Sequence, residues 1–409
     1  MRPSGARVRS LTPNRLAITL MVLLAALVLF GGCVRGRNTS TQGWSGVVTD
    51  GTSAFVGTKD GRIVQITLVE VDGRVIAQPG ATFDPPEVDQ NISQTFYGTP
   101  MLSNDRLYAG GYNGVVYSMR ATPGRGGGGV LQDVAEFDIE GNPLAKSVAG
   151  SAVPVDDVIV VAVSEDAAKG RLLVLDAERL DQNLSAPQVE RCRYPQGDPI
   201  GQLWTTPTVA DGIAYFGDLS HRLHAVSIAN CALVWNTPAE LGGAIVAPPL
   251  VLGGKLYLGA FDRWFYEVDR ATGAVTRLFE ADGWFWARAA TDGARVYAPS
   301  LDGTLYAYSV REKQVVWKYD QEGDPEPILS APVVVDDKVV MASDSGIVTL
   351  LSSGGDRLDS FGKAGDDIRA PLSARDGVVY VHSLDEIVTA LRIRGTRFSP
   401  EWSIDVSGE

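Results

Sequence analysis

Three observations predict an all-β fold, an eight-bladed β-propeller of four-stranded antiparallel blades. One pattern recurs eight times, its period is roughly 40–55 residues, and turn dipeptides fall at fixed places in every copy. The pattern is a small residue, Pro, a short apolar run, a tight turn, a second apolar run, another turn and a third run. Residues 330–351 (SAPVVVDDKVVMASDSGIVTLL) show it beside 205–228, 247–269, 370–391 and 98–119. Residues 288–308 repeat it without the Pro, and 45–66 and 151–175 are weaker copies.

The first turn of each copy falls at Asp50-Gly51, Asn104-Asp105, Asp156-Asp157, Asp211-Gly212, Gly253-Gly254, Asp292-Gly293, Asp336-Asp337 and Asp376-Gly377. These dipeptides tolerate the positive φ that tight hairpins require. The runs between turns are rich in Val, Ile, Leu and Tyr, as strands are. A fourth strand carries Trp in several copies: Trp235, Trp317 and Trp402. One such sheet leaves both faces bare, and radial packing in a closed ring covers them. The longer early copies place their extra residues in loops at 79–95, 121–131 and 181–200, and no segment after the N-terminal region shows sustained helical periodicity.

The blade pattern resembles the pyrroloquinoline-quinone-type repeat. Leu305-Tyr306-Ala307, with Asp302-Gly303 before it and Trp317 after it, carries the likeness best, and the likeness runs over nearly the whole of 44–409. The resemblance implies an eight-bladed propeller. It also implies one of two functions, since the family holds quinone-dependent dehydrogenases and non-enzymatic lipoprotein members. One of the latter is a protein-binding scaffold of the outer-membrane β-barrel assembly machine. The dehydrogenases bind the quinone with calcium or a lanthanide beside adjacent cysteines, over a Trp floor. This chain has no Cys-Cys pair and no C-x-x-C-H haem attachment, so no quinone, calcium or other cofactor is expected. The quinone-dependent dehydrogenase is the alternative reading.

The first 33 residues read as an export signal. Arg2, Arg7, Arg9 and Arg15 precede an apolar run from Leu16 to Phe30, and Gly31-Gly32-Cys33 follows. That ending resembles a bacterial lipobox, with Cys33 as the lipidated residue and Phe30 where Leu is usual. An uncleaved anchor helix is the other reading of the same run. Either one puts the polar tether 34–43 and the propeller 44–409 on the extracytoplasmic face of a bacterial membrane. Cys192 and Cys231 remain, about one repeat apart. An oxidising compartment permits a disulfide between neighbouring blades, and two separate thiols are the alternative.

A net charge of −13 excludes a nucleic-acid partner, which needs a basic face. The run 124–129 satisfies G-x-G-x-x-G in form, but it opens no helix and reads as a loop. The three histidines, His221, His224 and His382, are too few for a metal site without a carboxylate motif, and no catalytic residue is assigned. Binding candidates come from the loops that enter each innermost strand and those between the second and third strands, which share one face of a propeller. Tyr97, Trp204, Trp284 and Trp286 precede innermost strands, with Arg288 in the place of Pro, and Arg263 and Trp264 lie in a second-to-third strand loop. Tyr, Trp and Arg anchor interfaces, so this face is expected to meet a membrane or envelope protein complex, or a carbohydrate.

Overall fold

The computed structural model describes residues 43–86, 94–122, 130–141, 146–321, 323, 325–362 and 366–408. The export segment with Cys33, the tether up to residue 42 and the glycine run 124–129 lie outside the described residues. Eight four-stranded antiparallel sheets make up the eight blades, and in each the strands pair in chain order. The tight first turns form for the reason their residues imply. Asn104, Asp156, Asp211, Asp336 and Asp376 all have φ between 50 and 55°, the left-handed region that Asn and Asp enter readily.

Every blade buries both faces, and eight apolar clusters each draw on two successive blades. One of them joins the last blade, through Tyr380 and Val388, to Ala54 and Ile66 of the first, so the ring is closed. The chain ends meet without exchanging a strand. Blade 8 is built wholly from the C-terminal strands and blade 1 wholly from the N-terminal ones. Side chains tie this seam: His382 Nδ1 donates to the Ser45 carbonyl at 2.8 Å, and Glu386 Oε1 accepts from the Lys59 amide at 2.9 Å.

Linkers between blades carry a buried apolar anchor that seats on the second strand of the preceding blade. Phe285 lies against Gly259 so closely that a Cβ on that glycine would overlap its ring. A second recurring contact clasps the turn between strands two and three. Asn113 donates to the Tyr117 hydroxyl at 2.7 Å, the Tyr306 hydroxyl donates to Asp302 at 2.8 Å, and Tyr266 makes the same bond to Asp262. In blade 4 the clasp is His224 to Asp218, 3.0 Å apart and fully buried. Trp317 sits in a fourth strand, packs on Gly355 and donates to the Ser353 carbonyl.

Several expectations are corrected here. Trp235 makes the equivalent contact with Gly273, but it lies in a bend before the two-residue fourth strand Ala239–Glu240. The stretch around 181–200 is not all loop. It holds two short helices, Ala177–Asp181 and Ala186–Val189, and the fourth strand Glu190–Tyr194. Asp176 caps the first helix by accepting from the Arg179 amide, and Leu180 and Val189 fill the seam between blades 2 and 3. These helices are too short for a sustained period to register. Gly43 is buried against the Phe96 backbone.

Cys192, on the last strand of blade 3, and Cys231, in the last turn of blade 4, are joined by a disulfide with their Cα atoms 5.8 Å apart. No helix among the described residues is long and apolar enough to cross a membrane.

Candidate binding face at the channel mouth

The innermost strands of successive blades touch one another around the axis. The pairing register shows which residues stand at equivalent heights: Val48, Met101, Thr208, Ala290 and Ser373 pair with Phe55, Tyr108, Tyr215, Tyr297 and Tyr380. Four residues before these positions come Trp44, Tyr97, Trp204, Trp286 and Arg369. Five linkers from five blades thus deliver four aromatic rings and a guanidinium to one mouth of the channel.

The four rings form a closed circuit. Trp44 meets Tyr97 at 4.8 Å, Tyr97 meets Trp204 at 5.9 Å, Trp204 meets Trp286 at 6.4 Å, and Trp286 meets Trp44 at 6.5 Å between centroids. These are the separations at which edge and offset ring contacts are attractive. Loops between second and third strands add two more rings. Tyr112 packs on Tyr97 and Trp204, and Phe261 stacks on Trp284 at 5.0 Å and on Trp286 at 5.8 Å. All of them are half-buried.

Charge stands beside the rings. The Arg369 guanidinium lies 5.9 Å from the Trp44 centroid and grips Asp344 at 2.7 and 3.1 Å and Asp367 at 3.1 Å. Burial, then the nearby Asp344 charge, raises the Asp367 pKa above the ordinary value. Arg288 lies two residues beyond Trp286. Phe285, Ala287 and Ala289 are buried while Trp286 and Ala290 are half-buried and Arg288 is exposed, so this alternation puts Arg288 on the channel side. The Arg288 side chain is exposed, and desolvation lowers its pKa.

Of the residues expected from sequence, Tyr97, Trp204, Trp284 and Trp286 come together, and Arg288 lies next to them. Arg288 does not take the place of Pro. Blade 6 has a longer first turn, Thr291 pairing with Val296, so Ala289 stands where Pro stands elsewhere. Arg263 and Trp264 stay apart: Arg263 pairs with Glu280 at 2.5 Å, and Trp264 lies under Arg277 at 5.1 Å. Trp44, Tyr112, Phe261 and Arg369 join the face without having been singled out. A concave pocket of about 300 Å³ lies at the seam of blades 2 and 3, lined by Phe137, Ile139, Leu173 and Arg193.

The fold and family are also visible in comparison with known proteins. The crystal structure of BamB from Moraxella catarrhalis superposes with a TM-score of 0.62 at 15% identity, covering 85% of this chain and 94% of that one. The computationally designed Ika8 protein superposes with a TM-score of 0.65 at 15% identity, covering 86% and 97%. No curated protein matches the chain in sequence. A family model described as outer membrane protein assembly factor BamB matches residues 196–283 and 279–408, together more than half of the chain. The chain belongs to that family, a family of pyrroloquinoline-quinone-type propeller repeats.

Proposed function

We propose that this protein is a non-catalytic scaffold of the bacterial envelope, tethered to a membrane by its N-terminus, that docks a membrane protein complex on the aromatic mouth of its channel. The observation that carries the reading is the four-ring circuit with Arg369 and Arg288 beside it. Half-buried Trp, Tyr and Arg on a rigid frame present large contact area at little entropic cost. Family membership supports an outer-membrane assembly role, as the family description names one. The sequence supports the non-catalytic part, having neither the vicinal cysteines nor the haem attachment of the quinone enzymes. Protein is favoured over carbohydrate because the rings pack on each other rather than lining a cleft.

The test is a photo-cross-linking amino acid placed at Tyr112, at the mouth, or at Asp211, on the opposite face, of the full chain in cells. Cross-links to one integral envelope protein are expected from Tyr112 alone. The double variant Trp204→Ala, Trp286→Ala should weaken that complex about thirtyfold or more, the effect of losing roughly 2 kcal/mol of anchor contact. Cross-links confined to Asp211, or a double variant that binds as well as the parent, would overturn the reading.

A further inference from the structure

Arg288 is unlike its counterparts. At its level of the innermost segment the other seven blades carry Gly, Ser, Thr, Pro or Ala. Among the described residues no hydrogen bond or ion pair reaches its guanidinium, whereas Arg369 nearby is held by two carboxylates. A guanidinium with no protein partner has all its N–H donors free for an incoming anion. Arg288 stands two residues from Trp286, at the mouth end of the innermost segment. That end is framed by Trp286, Trp44, Tyr97 and Trp204.

We propose that Arg288 and this aromatic frame form a carboxylate-binding site, filled by a carboxylate of the docked polypeptide; this rests on the mouth being the docking face. The apolar part of the ligand lies among the rings, and its charged end meets the guanidinium. Arg suits this role because its planar fork gives two parallel hydrogen bonds to a carboxylate. The carboxylate belongs either to a chain terminus or to an Asp or Glu side chain, and the two sources share this chemistry.

The test is a fluorescence titration of the full purified chain, since Trp44, Trp204, Trp284 and Trp286 all report on the mouth. The probes are N-acetylphenylalanine, its amide, N-acetylglutamate α-amide and sodium chloride. Saturable change with N-acetylphenylalanine and none with its amide or with chloride is the expected result. A matching response to N-acetylglutamate α-amide would make the source a side chain, and its absence would make it a chain terminus. Arg288→Gln should weaken the response about tenfold or more, and Arg288→Lys, which keeps the charge and loses the fork, should fall between. Equal binding of the amide, an equal response to chloride, or undiminished binding by Arg288→Gln would overturn the proposal, as would no response to either carboxylate. The cross-linked complex separates this failure from that of the docking reading. Loss of the complex in the tryptophan double variant with full retention in Arg288→Gln would leave the face standing and remove the carboxylate site.

Discussion

His224→Leu is expected to lower the stability of the propeller by about 3 kcal/mol, the effect of leaving a buried carboxylate oxygen without its donor. Asp218 and His224 have no exposed surface. The Asp218 carboxylate only accepts, so His224 donates from Nε2, and its bare Nδ1 accepts from the Tyr194 hydroxyl at 3.2 Å. The imidazole also stacks on Phe216 at 5.1 Å. Leucine fills a similar volume but leaves one Asp218 oxygen without a donor in a dry interior; the other still accepts from the Arg222 amide at 2.9 Å. His224→Tyr should cost far less, because tyrosine makes this clasp in blades 5 and 6. Equilibrium urea unfolding of both variants checks the pair. A His224→Leu protein within about 1 kcal/mol of the parent would show that the clasp is dispensable.

That clasp also shows how much of the molecule can be read from its residues. His224 stands at the register of Tyr306, and the periodicity is strong enough to reveal that equivalence without coordinates. Blade number and turn positions were legible for the same reason, since tight hairpins restrict the turn to residues that accept positive φ. The aromatic mouth was legible in part. Counting back from Pro works where Pro directly precedes the pairing residue, as Pro100 and Pro207 do. In blade 8 Pro371 stands two residues before Ser373, and in blade 1 no Pro is present, so Arg369 and Trp44 escape that count. Tyr112 and Phe261 sit in short turns, where an aromatic residue has no pattern to violate. What the sequence lacks is the axis: Trp44 and Trp286 are 242 residues apart in the chain and meet only because the ring closes.

At the seam that closes the ring, Glu386→Gln is expected to stabilise the protein at pH 8 by about 2–3 kcal/mol and to leave it unchanged near pH 4.5. Glu386 is buried in a turn with φ 65°, and burial pushes its pKa up to about 7 in spite of the Lys59 amide that it accepts from. His382 uses Nδ1 on the Ser45 carbonyl, so its Nε2 is a bare acceptor. That nitrogen and Glu386 Oε2 are both without a partner, 3.8 Å apart, beyond hydrogen-bond reach. An ionised Glu386 therefore sets lone pair against lone pair, while a protonated one has a donor to offer. A carboxyl that holds its proton more tightly folded than unfolded favours the native state below pH 4.5. That advantage is lost as pH rises through the folded value near 7. Burial lowers the His382 pKa, which works the other way: the unfolded histidine takes up a proton below about 6.5, and stability falls on acidification. The two slopes oppose each other between pH 4.5 and 6.5. Glutamine removes the first, accepting from Lys59 and donating toward His382 at every pH. The variant should then lose the Glu386 slope and keep the His382 one, so that its stability climbs relative to the parent's from pH 5 to 7. Urea midpoints from pH 4.5 to 8.5 decide it: a difference between variant and parent that does not change with pH would mean that Glu386 is ionised throughout and that the seam carries no proton.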